Sequence, residues 1–553
     1  MGREMGGRFK REGIYVYLWL IHVDGNNQNN SASKLASTTD LLVNEKERFT
    51  YDDLTQQLRT RTVTSSSDYS VKKYDESFEY DSVNRLSCHT TKYDFGTQAT
   101  NYKSVSGIVT YKKAANSPNA DNVVYKYEYE INGAHIARTI HDYDIYGRDW
   151  GKSVTLKNQS YLYTSINYDK TRISSVDYEF ETSGTTTLRN EFTYDSMGRL
   201  ETETLSSYTF GAKYYYDSYG QLVREDNPFC NKTITYSYDN RGNITSAKRY
   251  SYSPYGGLSR AYTPFTYGYS STVKDRLTSF NGKSISYDNY GQIASYNGVR
   301  YYWSHGRLSS MTKSASNPPN SDSFYHGYSY NAKGQRIQKT YINDSQTVDS
   351  ESPNSTYQTN YWYDYSGRLI REYCVESFDG QSTGNTHDLT YIYDDTGMVG
   401  VNYSYNGEAA QPYFYLRNLR GDVIAIYDVD GVMQAEYAYD AYGNAVLVNS
   451  TNDNLARYNP IRYRGYYYDR ESGLYYLNSR YYNPEWRRFI SPDDASALNP
   501  ATINGLNLYA YANNNPIGFL YSMGELSGGE IISSLVFSGA FSVGISVLST
   551  TGL

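Results

Sequence analysis

Three successive segments decide the fold: Tyr194-Asp195-Ser196-Met197-Gly198-Arg199-Leu200, Tyr216-Asp217-Ser218-Tyr219-Gly220-Gln221-Leu222 and Tyr238-Asp239-Asn240-Arg241-Gly242-Asn243-Ile244. Their leading tyrosines stand 22 residues apart, twice over. Just before each Asp, Tyr recurs at every second position, as in Tyr214 and Tyr216 or Tyr236 and Tyr238. Period two means a strand with its rings on one face. The Asp then opens a turn, where its carboxylate can accept backbone N–H groups. Gly three residues later supplies the positive φ that closes a hairpin through a bulge. The apolar residue that follows restarts a strand. One such unit is a β-hairpin, too small to be stable alone. Stacked units pair edge to edge, cover each other's edges and propagate one long sheet.

The same phrase recurs along the chain. It stands at Tyr80-Asp81, Tyr143-Asp144, Tyr287-Asp288, Tyr363-Asp364 and Tyr393-Asp394, begins weakly at Tyr51-Asp52, and is degenerate at 302–308 and 330–336. Uneven spacing outside the central run points to insertions at hairpin tips. A single Tyr-Asp-x-x-Gly is an ordinary turn, whereas this many copies are a repeat architecture. The repeated aspartates therefore read as turn formers, not catalysts.

Composition agrees. There are 68 Tyr against 17 Phe, and buried phenols each need a hydrogen-bond partner. With a mean hydropathy of -0.71, this predicts an all-β chain of half-exposed sheet, wet on one or both faces, with little dry core. Net charge is -7, so an electrostatic nucleic-acid binder is not expected. Cys88, Cys230 and Cys374 lie far apart with no CxxC, and the seven His show no metal-ligand spacing. Neither a disulfide framework, a metal nor a cofactor is predicted.

The chain divides into an atypical start (1–50), the hairpin array (51–412), a distinct late segment (413–524) and a tail (525–553). At the start, Arg3, Arg8, Lys10 and Arg11 precede a short apolar run, the order of a signal peptide. Asp24-Gly25-Asn26-Asn27 follows in place of a small-residue cleavage site. A strand, or the ragged start of a truncated frame, fits better. From residue 531 the tail carries no charge and is rich in Gly, Ser, Val, Ile and Leu. It is long enough to touch or span a membrane, but its small residues favour a buried or amphipathic, short helical lead into a further region.

The late segment contains Leu416-Arg417-Asn418-Leu419-Arg420-Gly421-Asp422, Gly473-Leu474-Tyr475-Tyr476-Leu477-Asn478-Ser479-Arg480-Tyr481-Tyr482 and Arg488-Phe489-Ile490-Ser491-Pro492-Asp493. With the upstream repeats, these strings resemble the Rhs/YD-repeat family and its Rhs repeat-associated core, found in bacterial polymorphic toxins and in the C component of Tc toxins. The resemblance implies hairpins wound into a hollow β shell, or here an open strip, closed by the core as a plug. It implies a C-terminal toxin segment as partner in full-length relatives, with an immunity protein or a secretion-system component alongside. It also implies a secreted or cell-surface bacterial location and a part in bacterial competition.

The family's core is a self-cleaving aspartyl protease with two aspartates. Two close carboxylates share a proton, one acting as base and the other as acid on a peptide bond. Carried over by motif, the first aspartate is Asp493. The second falls at Tyr521, followed by Ser522 where the family has Pro. A phenol cannot exchange protons near neutrality as a carboxylate does. Asp494 would point to the opposite face of a strand. Arg487 and Arg488 stand where the family has a basic residue, and Arg488 is the candidate for orienting the carboxylate, although a solvated turn explains both equally well.

The resulting expectation is an encapsulating shell without its toxin domain, carrying at most a vestigial self-cleavage site. The alternative is a cell-surface carbohydrate-binding or adhesion module, because Tyr-rich sheets stack on sugars. Glycan-array binding would favour the alternative, and a closed lumen without a Tyr groove would count against it.

Overall fold

The structure is a computed structural model. It gives short strands of backbone before residue 48 and side chains over most of 48–519, apart from 66–71, 94–102, 112–123, 181–185, 259–262, 315–322, 344–354, 379–383, 495–506 and some shorter turns. The tail at 525–553 and its expected helix lie outside the described residues, as does Tyr521.

The all-β expectation holds. Thirty-five strands form one sheet. Each strand pairs antiparallel with its neighbours in sequence, from Trp19–Val23 through to Ala445–Ser450. The boundary drawn at 412/413 falls inside this sheet, which continues through Gln411–Arg417, Val423–Tyr427 and Met433–Tyr439. After Ser450 the chain changes character. A helix at Asp453–Tyr458, capped by the Asn452 side chain on the Leu455 amide, leads to a small sheet of Tyr467–Asp469, Leu474–Tyr476, Tyr481–Asn483 and Arg488–Phe489.

The repeat works as its chemistry demands. Asp195 Oδ1 accepts the Met197 and Arg199 amides, each at 2.9 Å, and Oδ2 accepts Arg199 Nε at 2.6 Å. Gly198 sits at φ +85°, beyond the ordinary range of residues with a Cβ. The pairing register shifts at the Tyr, which places Tyr194 opposite Leu200 and Tyr216 opposite Leu222. The next repeat's phenol then caps the carbonyl of that opposed residue. Tyr216 donates to Leu200 O at 2.8 Å, Tyr238 to Leu222 O at 2.5 Å, and Tyr269 to Ile244 O at 2.9 Å. The ladder continues through Tyr287, Tyr330, Tyr363, Tyr393 and Tyr439. In the degenerate copy, Trp303 takes the phenol's place, its Nε1 donating to Ile293 O at 2.7 Å. Phe offers no donor there, which accounts for the ratio of Tyr to Phe.

The sheet curls until later strands lie against earlier ones. Lys152 reaches Asp394, Tyr178 the carbonyl of Arg417, Glu203 the guanidinium of Arg420, and Asn227 the carbonyl of Tyr439. The final segment then retraces the wall in reverse. Glu372 meets Tyr467, Gly334 meets Tyr476, Tyr267 meets Arg487, and Gly242 meets Asn514. The plug is thus wound onto the same sheet that precedes it. This corrects the expectation of mostly wet tyrosines: Tyr129, Tyr391, Tyr442, Tyr463, Tyr475, Tyr481, Tyr482 and Tyr511 are all under 2 % exposed. The sheet's inner face is dry wherever the later chain covers it, and carbonyls on the opposing layer accept several of the phenol protons, as from Tyr463, Tyr475 and Tyr482.

Candidate functional site

Asp493 lies just past the short strand Arg488–Phe489. Backbone pairing fixes it there, with Phe489 N on Tyr509 O and Asp493 N on Leu508 O at 2.9 Å. Its carboxylate forms a 2.7 Å ion pair with Arg480 Nη2. The Arg480 guanidinium lies over the Phe489 ring, 3.7 Å from its centroid, and also donates to Leu508 O. Asp494 is exposed, and its amide turns back onto Asp493 Oδ1 at 2.9 Å.

Arg488, the sequence's candidate for orienting Asp493, donates instead to the carbonyl of Asp275 on the wall and lies against the Tyr269 and Tyr509 rings. Arg487 is 2 % exposed and donates to Tyr267 Oη at 2.7 Å. Both arginines bind plug to wall, because strand alternation and the positive φ of Arg487 aim them away from the aspartate. The orienting cation is Arg480. The string Asn478-Ser479-Arg480-Tyr481-Tyr482 had drawn attention to it only as a family motif. Tyr521 lies outside the described residues.

Sequence reasoning also missed a buried ionic clamp. Arg336, fully buried, pairs with Asp469 at 2.5 Å, and Lys339 bridges Asp469 and Glu471 at 3.0 Å each. The rings of Tyr328, Tyr361, Tyr467 and Tyr476 surround the Arg336 guanidinium. Asp469 ends a Tyr-Asp pair, yet its carboxylate leaves the turn for the wall. A small cavity of about 30 Å³ lies beside the clamp, between Lys339, Cys374 and His387 of the wall and Tyr458 and Arg470 of the plug.

One further cluster gathers at the seam between early and late strands. His141, Asp394 and Asp395 place ligand-type atoms within 4.8 Å of one another. Both imidazole nitrogens are already bonded to carboxylates, Nδ1 to Asp149 at 2.7 Å and Nε2 to Asp395 at 2.8 Å. The Lys152 ammonium sits on Asp394 at 3.0 Å. These ion pairs satisfy the cluster internally, so it acts as a clasp. Burial alone would lower the imidazole's pKa, but the bonds to Asp149 and Asp395 outweigh it and push it up to about 9.

Known proteins share this architecture. The sequence is 36 % identical over 290 residues to the tRNA3(Ser)-specific nuclease WapA of Bacillus spizizenii, a match covering 51 % of this chain and 10 % of the relative. It is 27 % identical over 341 residues to the toxin subunit YenC1 of Yersinia entomophaga, covering 59 % of this chain and 32 % of that one. The crystal structure of TcdB2–TccC3 superposes on 93 % of the chain with a TM-score of 0.57 at 17 % identity, a likeness of fold. The chain is an Rhs/YD-repeat protein. It is related to polymorphic toxins, and spans about a tenth of the WapA relatives and about a third of YenC1. No family model matches it. As an Rhs/YD-repeat chain, it places the strings 473–482 and 488–493 in the plug, the string 416–422 at a turn of the wall, and the repeat's Tyr-Asp phrases along the wall.

Proposed function

We propose that this Rhs/YD-repeat chain is part of a shell that encloses a C-terminal toxin segment, and that its core is a plug without working self-cleavage. The observation that carries the proposal is the winding. Strands separated by more than two hundred residues face each other, and the described residues of 467–494 and 507–514 retrace the inner face. The WapA nucleases and Tc toxin subunits among its relatives support an enclosed toxin as the partner, and with it a secreted or cell-surface role.

Cleavage is proposed to fail for a chemical reason. Asp493 is held by Arg480, and Tyr521 offers a phenol where a second carboxyl is needed to share a proton. Intact mass of the purified chain should show no scission near 524–526. The variant Tyr521→Asp with Ser522→Pro should cut there, and adding Arg480→Met should suppress that cut. Efficient cleavage of the unaltered chain would overturn the reading of the core. An image of an open, unfilled strip would overturn the reading of the shell.

A further inference from the structure

Two glutamates are buried where layers of the chain meet, and among the described residues neither makes an ion pair. Glu225, on the strand Leu222–Asn227, is 0 % exposed. It accepts Tyr236 Oη at 2.5 Å and Asn227 Nδ2 at 3.4 Å from the wall, and the Ala441 amide at 2.9 Å from the later chain. Asp440, Cys230 and Tyr214 are the other titratable groups near it. The cation close to Asp440 is Arg487. Asp440 also accepts the Tyr442 and Asn444 amides and the Asn444 side chain. Glu225 is bonded by a phenol and two amides and, among the described residues, makes no ion pair.

Glu372, on the strand Leu369–Phe378, repeats the pattern at 3 % exposure. It accepts Tyr467 Oη of the plug at 2.7 Å. Lys339 and Arg336 are nearby, but Asp469 and Glu471 already neutralise them. The remaining titratable neighbours are Tyr361, Tyr363, Tyr391, Tyr415 and Cys374. Glu372 itself makes no ion pair among the described residues.

We propose that Glu225 and Glu372 form an acid-held latch: protonated, Glu372 binds the plug to the wall and Glu225 binds the early wall to the 440–443 turn on which plug tyrosines rest, and both contacts loosen as rising pH forces the acids to ionise. A buried carboxylate without a counterion is costly, whereas the neutral acid satisfies the same neighbours. Burial raises both groups to about 7, with Asp440 adding to the effect at Glu225, while bonds from Tyr236, Ala441 and Tyr467 oppose it. The sign follows from linkage. The docked state holds protons that a free glutamate releases above about pH 4.5. Docking is strongest below that pH and weakens until about pH 7. The inference is independent of what the shell encloses.

Hydrogen exchange of the whole chain at pH 5 and pH 8, corrected for the intrinsic rate, reads the latch directly. Peptides covering 467–489, held by Glu372, and 436–444, held by Glu225, should open more often at pH 8, each by on the order of a hundredfold. Wall peptides covering 160–180 serve as the internal reference and should change far less. The double variant Glu225→Gln and Glu372→Gln should hold its pH 5 behaviour at pH 8. Equal plug exchange in the unaltered chain at both pH values would overturn the proposal. So would a double variant that responds to pH as the unaltered chain does. The first comparison needs no substitution and stands even if the double variant folds poorly.

Discussion

Tyr216 and Tyr219 are three residues apart, and their environments differ completely. Tyr216 is half-buried and caps the Leu200 carbonyl, whereas Tyr219 at the turn tip is 70 % exposed. Tyr216→Phe leaves that carbonyl without its donor and should cost about 1 kcal/mol. Tyr219→Ala should stay within about 0.5 kcal/mol of the parent. Urea unfolding at unchanged slope compares the two directly. Gly220 isolates the backbone contribution in the same turn. Its φ is +82°, and an added Cβ meets nothing within 4 Å. Gly220→Ala should therefore cost about 1–2 kcal/mol from conformation alone, with no clash to relieve. A larger loss would mean that the turn has neighbours beyond those seen.

At the scale of the element, the clamp joins one wall strand to one plug hairpin. Asp469 faces both Arg336 and Lys339 while fully buried, so Asp469→Asn leaves two cations with only Glu471. Breaking a buried pair from one side costs about 3–5 kcal/mol. The expected result is early release of 467–489, seen as a first unfolding transition ahead of the wall's. A single unchanged transition would show that the plug's packing does not depend on the clamp. Here the limits of sequence reading become physical. The hairpins were legible because period two, Asp and Gly are local signals that each act within a few residues. The phenol ladder was half legible: the Tyr excess was visible, but each acceptor lies about twenty residues upstream. Asp469 shows what local reading misses. Its Tyr-Asp setting matches the repeat, yet its partners stand 130 and 133 residues earlier. Arg480 was missed for a related reason. Strand alternation decides which arginine faces Asp493, and adjacency to the Ser-Pro-Asp string pointed to Arg488 instead.

The whole molecule depends on a seam where strands more than two hundred residues apart meet, and His141 is the titratable group at its centre. The imidazole bridges Asp149 on the neighbouring strand and Asp395 on the far hairpin, so only its protonated form donates to both. Its folded pKa of about 9 exceeds the ordinary value of 6.5. A raised cation contributes stability that is complete below pH 6.5 and lost as pH rises through 9. The difference corresponds to on the order of 3 kcal/mol for the seam, spread over that window. The Lys152–Asp394 ion pair also spans the seam. The unaltered chain should therefore lose denaturant resistance between pH 7 and 10, and His141→Gln should start lower and stay flat over the same range. This loss is separable from the glutamate latch, which is expended by about pH 7 and involves 467–489 and the 440–443 turn. Above pH 7, hydrogen exchange should rise first in the strands Ala134–Tyr143 and Thr386–Asp394, the two sides of the seam. If exchange there tracks the plug instead, the seam and the plug open as one unit and His141 does not control the winding.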